Sequence, residues 1–332
     1  MDVEAGGRTV TITSPDKVYF GERGETKLDL ARYMCAVEEP LLRAIGGRPI
    51  LMERYPEGAS GKSFFQKRVP KTAPEWLTTV VVSTPNGTTS DALVAVDLAH
   101  LLWAVNQGCL GFHAWPSRAD DVDGADELRI DLDPTPGVTR EMVREGAAEA
   151  RKLLADLGVT GWPKTTGKRG IHVYVRLEPR WDSYQVRAAA VAFARELERR
   201  RPDLLTAAWW KEERGRRVFV DYNQNAPHKT VFSAWGVRAR KGAQVSTPFA
   251  WDELQDIDFD AMTIATVPDR VAADGDPWAA IGDAPASLQP LLDWYERDLA
   301  NGLMDAPWPP VYPKQPNEPP RVAPSRARKD GG

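Results

Sequence analysis

Arg129-Ile130-Asp131-Leu132-Asp133-Pro134 is the stretch on which the fold reading turns. The run from Glu127 to Asp133 reads as a strand, and Pro134 with Pro136 stops it. Side chains alternate along a strand, so Asp131 and Asp133 face the same way, with Cα atoms about 6.6 Å apart. Two carboxylates so placed can lean onto a pair of divalent ions about 3.5–4 Å apart, and hard oxygen donors select Mg²⁺ or Mn²⁺. Taken alone, the same pattern also describes an acidic strand end turned to solvent. Val218-Phe219-Val220-Asp221 repeats the design of an apolar strand ending in a carboxylate, and supplies a third ligand if the strands are neighbours.

Between these strands lies Lys164-Thr165-Thr166-Gly167-Lys168-Arg169-Gly170-Ile171-His172, with two glycines, two hydroxyls and three cations ahead of the apolar run Val173-Tyr174-Val175. Amides exposed at Gly167 and Gly170 could cradle phosphate oxygens while Lys168 or Arg169 neutralises them. The spacing G-x-x-x-x-G-K-[ST] is absent and no helix follows, so this is not a Walker loop. His172 can donate to a phosphate or a sugar hydroxyl, or be a hydrogen-bonded structural residue. Arg238, in Val237-Arg238-Ala239-Arg240-Lys241-Gly242, fits either a phosphate contact or a solvated turn. Gln224 and Asn225 are amide donors of the kind used on phosphates, and equally turn formers. Asp120, Asp121 and Asp123 sit in a Gly/Asp loop and read as solvated.

Further out, Thr9 to Thr13 alternates as a half-buried strand. Thr26 with Asp29 resembles a capping box for a helix that carries Leu28, Leu30, Tyr33, Met34, Val37 and Leu41 on one stripe and closes at Gly46-Gly47. Short strands are predicted at 49–52, 77–83 and 88–95, with a helix over 97–107 and an extended run at 112–115. Thr139 caps a helix to Leu157, ended by Gly158, and residues 183–200 carry alanines and aliphatics at helical spacing. The tally is α/β, with strands and helices interleaved. We expect one catalytic domain over residues 1–305, with an N-terminal α/β part to about 110 and a catalytic part over about 111–300. Residues 306–332 read as a Pro-rich basic tail in extended conformation.

The composition sets limits. A 332-residue chain with 42% hydrophobic residues builds a sizeable core. No apolar stretch reaches the roughly 20 residues of a membrane span, and Met1-Asp2-Val3-Glu4 lacks the order of a signal peptide, so a cytoplasmic location is expected. A net charge of −4 excludes indiscriminate nucleic-acid coating. Positive charge is instead local, at Lys164/Lys168/Arg169, Arg214/Arg216/Arg217 and Arg238/Arg240/Lys241, beside the motifs above. Cys35 and Cys109 form no metal spacing and are expected to be core thiols.

In this order, to about residue 295, the elements resemble the archaeo-eukaryotic primase superfamily, specifically the bacterial ligase D polymerase domain and its stand-alone primase–polymerase relatives. The family's Asp-x-Asp-Pro strand end matches Asp131 to Pro134, its Ser-Gly-x-Lys-Gly-x-His loop matches Thr166 to His172, and its third motif matches Val218 to Asp221. The resemblance implies a primase-type α/β, or α+β, fold whose central mixed or antiparallel sheet carries the metal site, with Asp131, Asp133 and Asp221 as ligands of two Mn²⁺ or Mg²⁺ ions and Arg169, Gln224 and Arg238 on the triphosphate. It places Thr166 near the ribose and His172 on the incoming nucleotide. His113 matches a histidine before the first motif. Phe64-Phe65-Gln66-Lys67 matches a Phe-Phe-x-Lys element, with the aromatics supporting base or template and Lys67 meeting phosphate. Lys17 and Lys27 match two lysines that hold a DNA 5′-phosphate, and Ser14 stands where that pocket often has Asn. Thr166 for serine adds a methyl, Arg169 for lysine gains a planar fork, and Glu53 fills a position that is often basic.

These matches imply a template-dependent DNA polymerase or primase–polymerase using NTP or dNTP, with ribonucleotides preferred, on gapped or broken DNA ends with a 5′-phosphate. A free-standing, monomeric bacterial repair enzyme is expected, nucleoid-associated, with Ku and a separate DNA ligase as candidate partners. A metal-dependent nuclease and a non-catalytic 5′-phosphate end-binding module are the alternatives.

Overall fold

The strand that ends in Asp131 and Asp133 is the centre of a five-stranded sheet. The computed structural model describes residues 1–327. Glu127–Pro134 is flanked by Ile171–Arg176 and then Trp162–Thr165 on one side, and by Val218–Val220 and then Leu205–Thr206 on the other. All these pairs are antiparallel except Leu205–Thr206 with Val218–Val220, which makes the sheet mixed. A second sheet runs Val231–Phe232, Cys109–Ala114, Pro49–Arg54, Thr89–Val94, Thr79–Ser83, with Phe64–Gln66 paired on Pro49–Arg54.

Helices cover one face of each sheet. Arg140–Asp156 starts at Thr139, whose hydroxyl accepts from Met142 N, and Ser183–Arg200 starts in a capping box of Asp182 with Gln185. Their apolar faces, with Val143, Ala147, Leu153, Ala190 and Phe193, pack on Ile130, Leu132, Val173 and Val220. The helix predicted after Thr26 has its Thr26/Asp29 capping box but is two helices, Lys27–Ala36 and Glu38–Ile45. Pro40 causes the break, because it offers no N–H to the Ala36 carbonyl and its ring crowds that group. Cys109 is buried, whereas Cys35 lies on the exposed side of the first of these helices, so only one of the two cysteines is a core thiol.

The chain does not divide near residue 110. Val231, Trp235, Val237, Val245, Ile264, Trp278 and Ile281 return to the first core, beside Ile50, Leu102 and Phe112. Tyr33 seals this return by donating to the Trp235 carbonyl at 2.8 Å. The halves are further joined by buried charge. Arg48, fully buried, meets Asp126 at 2.6 Å and Glu127 at 2.9 Å, while Arg176 meets the same two acids at 2.9 and 3.3 Å.

The described part of the expected C-terminal tail is not a free extension. Ala306, Trp308, Tyr312 and Glu318 are buried, and Trp308 stacks at 3.8 Å on the Arg187 guanidinium of the Ser183–Arg200 helix. Prolines extend the backbone here, but the aromatics between them carry enough apolar surface to dock it. Among the described residues no helix is long and apolar enough to cross a membrane.

Candidate active site

Register places the site. Asp131 is directly opposite His172, and His172 is directly opposite Lys164, so the three side chains form a row across three strands on one face. Asp133 lies one pleat further along that face, at the exposed strand end. Asp221 follows the neighbouring strand, and its amide donates to the Asp131 carbonyl at 2.9 Å. A cavity of ≈ 330 Å³ opens over this face, lined by Asp131, Asp133, Thr166, Lys168, Arg169, His172, Gln224, Arg238, His113, Thr230 and Phe232 among others.

One wall is acidic. Burial pushes the Asp131 carboxyl up to about 6, against the pull of Lys164 and Arg238. Asp133 is raised too, by desolvation and then by the charge of Asp131. Burial, with Asp131 adding to it, takes Asp221 up to about 7. Asp131 Oδ1 is buried with no hydrogen-bond donor, for His172 Nε2 is 3.2 Å away but poorly aligned. Asp221 is held differently: its oxygens accept from Asn223 N and Gln224 Nε2, each at 3.0 Å. It does not line the cavity, and among the described residues no three ligand-type side chains converge on one point as they stand.

The facing wall is the Thr166–Gly170 loop with Arg238. The Thr166 hydroxyl accepts from Lys168 N and Gly170 N, both at 3.2 Å, and so closes the loop on itself. Gly167 is left-handed, at φ 67°, and a Cβ there would stand 2.7 Å from Arg238 Cγ. Gly170 is required by contact instead: its Cβ would meet the Leu132 carbonyl oxygen at 2.7 Å. Arg238 donates to the Thr166 carbonyl at 2.8 Å and lies 3.4 Å over the Phe232 ring; burial lowers its pKa to about 10. Burial, helped by Lys164 and Arg238, holds His172 well below the usual imidazole value, so its ring is neutral.

Of the residues expected from sequence, the cavity gathers Asp131, Asp133, Thr166, Arg169, His172, Gln224, Arg238 and His113. Phe64 and Phe65 stand exposed on the rim, with Phe65 edge-on to His113 at 5.3 Å. Lys67 does not line the cavity; it is exposed just past the Phe64–Gln66 strand, which pairs with the Met52–Arg54 end of its neighbour. Asn225 is no phosphate donor either: it is buried and exchanges two hydrogen bonds of 2.8 Å with the Arg129 backbone. Away from the cavity, Lys27 is buried, donating to the Thr13 carbonyl and Asn106 Oδ1 at 2.8 Å each. Burial and the nearby Lys17 lower its pKa. Lys17 bonds the Pro56 carbonyl and Glu57, and its amide donates at 3.1 Å to the carbonyl of Ser14, which stands at φ 46°.

Two residues named from the sequence acquire partners that it did not show. Glu53 bonds His113 Nε2 at 3.1 Å and Tyr55 OH at 2.6 Å; burial works to raise its carboxyl, but these bonds outweigh it and hold it low. Lys164, fully buried, donates to Ser246 Oγ at 2.6 Å, and burial takes its pKa well below the usual lysine value. Both depend on cross-strand register, which no local pattern reveals.

Comparison with known proteins agrees with this geometry. Residues 26–278 match the family model of the LigD primase-polymerase domain. The chain is 34% identical over 301 residues to the multifunctional non-homologous end joining DNA repair protein LigD of Mycobacterium tuberculosis, covering 88% of this chain and 39% of that protein. It is 33% identical over 269 residues to the bifunctional LigD of Bacillus subtilis, covering 80% and 43%. The solved polymerase domain of M. tuberculosis ligase D in complex with DNA superposes with a TM-score of 0.77 at 33% identity, over 83% of this chain and 99% of that one.

The chain belongs to the LigD primase–polymerase domain family. It spans about two-fifths of the length of these LigD proteins. The family is one of metal-dependent, DNA-directed nucleotidyltransferases, and the fold here is that of a LigD polymerase domain. The donor set suits a hard divalent cation: two carboxylates share a face, one oxygen is buried without a donor, and their mutual repulsion calls for positive charge.

Proposed function

We propose that this chain adds nucleotides to DNA under the direction of a template, filling short gaps or extending broken ends in double-strand-break or excision repair. The observation that carries the reading is the single cavity with Asp131 and Asp133 on one wall and the Thr166–Gly170 loop, Arg169 and Arg238 on the other. A nucleoside triphosphate needs such a pairing: cations for its phosphates and carboxylates for the metal at its α-phosphate.

Asp131, Asp133 and Asp221 would hold two Mn²⁺ or Mg²⁺ ions, which supply charge stabilisation to the attacking and leaving oxygens. Arg238, Arg169 and Lys168 bind the triphosphate, and Gln224 donates its amide to the same group. Arg238 arrives pre-oriented, fixed by Thr166 and the Phe232 face, so little reorganisation is left for the reaction. Neutral His172, with Nδ1 buried and unpaired, offers a hydrogen bond to the nucleotide. The Thr166 hydroxyl already accepts twice, which leaves its own proton free for a ribose oxygen and supports a ribonucleotide preference. His113 borders the same space. Exposed Phe64 and Phe65 suit stacking on a base, and Lys67 beside them suits a DNA phosphate.

DNA as the polymer is supported by the related polymerase domain solved with DNA. Lys17, Lys27 and Ser14 form the 5′-phosphate pocket of this reading, and Ku with a ligase are the partners suggested by the end-joining names of the relatives. Extension on gapped and broken-end duplexes, with and without a 5′-phosphate and with ribo- or deoxyribonucleotides, tests the proposal. Extension should favour the phosphorylated substrate and ribonucleotides, and the phosphate effect should vanish in Lys17→Ala/Lys27→Ala. A parent protein indifferent to the phosphate would remove the pocket.

A further inference from the structure

Beside the turn that follows Asp221 lies the docked C-terminal segment, outside residues 26–278 of the family match. Asp305 to Arg321 closes on itself as a strap. Asp305 N donates to the Asn317 carbonyl at 2.8 Å and Trp308 N to Glu318 Oε1 at 2.9 Å. Arg321 donates to both Glu318 oxygens and to the Tyr312 carbonyl.

The strap is fastened to the Tyr222–Asn225 turn through Arg187, which is 1% exposed. Arg187 Nε donates to Asn223 Oδ1 at 2.8 Å, Nη1 to both Asp305 oxygens at 3.2 Å, and Nη2 to the Ala306 carbonyl at 2.8 Å. Asn223 Nδ2 returns a bond to the Pro307 carbonyl at 3.0 Å, and Tyr312 OH donates to the Pro227 carbonyl at 2.6 Å. On its other side the turn is bonded through Asn225 to the backbone of the strand that carries Asp131. The turn in turn grips Asp221, through Asn223 N and Gln224 Nε2.

Asp221 is tied to Asp131 through its amide and to the turn through its carboxylate, so the place of the turn fixes the place of that carboxylate. A turn held only from the strand side can shift and carry the carboxylate with it, whereas one clamped from both sides keeps it in place. We propose that the strap Asp305–Arg321, acting through Arg187 and Asn223, is a positioning element for the Asp221 carboxylate and sets its affinity for the divalent cation. The inference rests on the polymerase reading, in which Asp221 is a metal ligand. Partners of metal ligands commonly govern affinity by 10–100-fold.

The test uses the full chain and three variants, Asn223→Ala, Asp305→Asn and Tyr312→Phe. Mn²⁺ binding is followed by loss of the free-ion electron paramagnetic resonance signal, alongside thermal melting without the ion. Asn223→Ala and Asp305→Asn should bind Mn²⁺ about tenfold or more weakly, with a smaller loss in Tyr312→Phe, and extension should recover at higher Mn²⁺. Lower melting temperatures with unchanged Mn²⁺ affinity would overturn the proposal, since the strap would then serve stability alone. Tyr312→Phe preserves shape, so it decides the matter if the other two fail to fold. A parent that binds no Mn²⁺ would remove the polymerase reading itself, a result distinct from variants that match a binding parent.

Discussion

Asp131, His172 and Lys164 stand in one row, buried; burial raises the pKa of Asp131 and lowers that of His172, and the Lys164 charge pulls both downward. Asp131→Ala and Asp133→Ala should each lower primer extension by on the order of 10²–10³ or more, without loss of melting temperature, because a repelling charge has been removed from each. Near-parental extension by either variant with Mn²⁺ would refute their assignment. The raised carboxyl of Asp221 makes a linkage prediction. A carboxyl ordinarily near 3.8 and raised in the fold to about 7 contributes stability below its unfolded value, lost as pH climbs through the folded one. Without metal, Asp221→Asn should therefore gain melting temperature over the parent between pH 5 and pH 8, and Mn²⁺ should close the gap. The comparison also cancels His172, whose lowered pKa acts with the opposite sign. Asp131 and Asp133 were legible because a strand has period two. The bonds that occupy Asp221, and the Glu53–His113 pair, were not, since they depend on rotamers and on which strands become neighbours.

Among elements, the Thr166–Gly170 loop gives the sharpest case of backbone serving chemistry. Gly170 has no need of a left-handed conformation; it is small because the Leu132 carbonyl, between the two aspartates, is where its side chain would go. Gly170→Ala should move loop and strand apart and cost on the order of 10²-fold in extension, while Gly282→Ala, with open space around it, should cost nothing. Equal activity of the two would mean that the loop does not set the distance between phosphate and carboxylates. The loop's glycines and cations were visible in the sequence. The helix after Thr26 was visible too, through its capping box, but Pro40 was passed over because the apolar stripe runs on across the break. Lys67 was named from its place in a motif, which gives order along the chain, and the structure leaves it exposed just past Phe64–Gln66.

At the scale of the whole molecule, two sheets meet across Arg48, Asp126, Glu127 and Arg176, at the start of the strand that bears the aspartates. Arg48→Ala removes a fully buried guanidinium and its hydrogen bonds, although Arg118, Arg129 and Arg176 still meet the two acids, and should destabilise the fold by about 2–5 kcal/mol through the cavity it leaves, read from urea unfolding at neutral pH; a change below about 1 kcal/mol would show that the network closes without Arg48. No local signal announced this network, because its members are far apart in sequence and each reads singly as a surface charge. The docking of residues 305–326 was hidden likewise, as prolines report an extended backbone and not what it lies against. The class of fold, by contrast, followed from the interleaved strand and helix patterns and from the resemblance carried by two strand ends and one loop in fixed order. The central claim is templated nucleotide addition, and it is tested most directly on a labelled primer in a gapped, 5′-phosphorylated duplex with Mn²⁺ and one nucleotide at a time. The account predicts that only the nucleotide complementary to the templating base extends the primer. Shortening of the primer without nucleotides, or no addition with any of them, would contradict it.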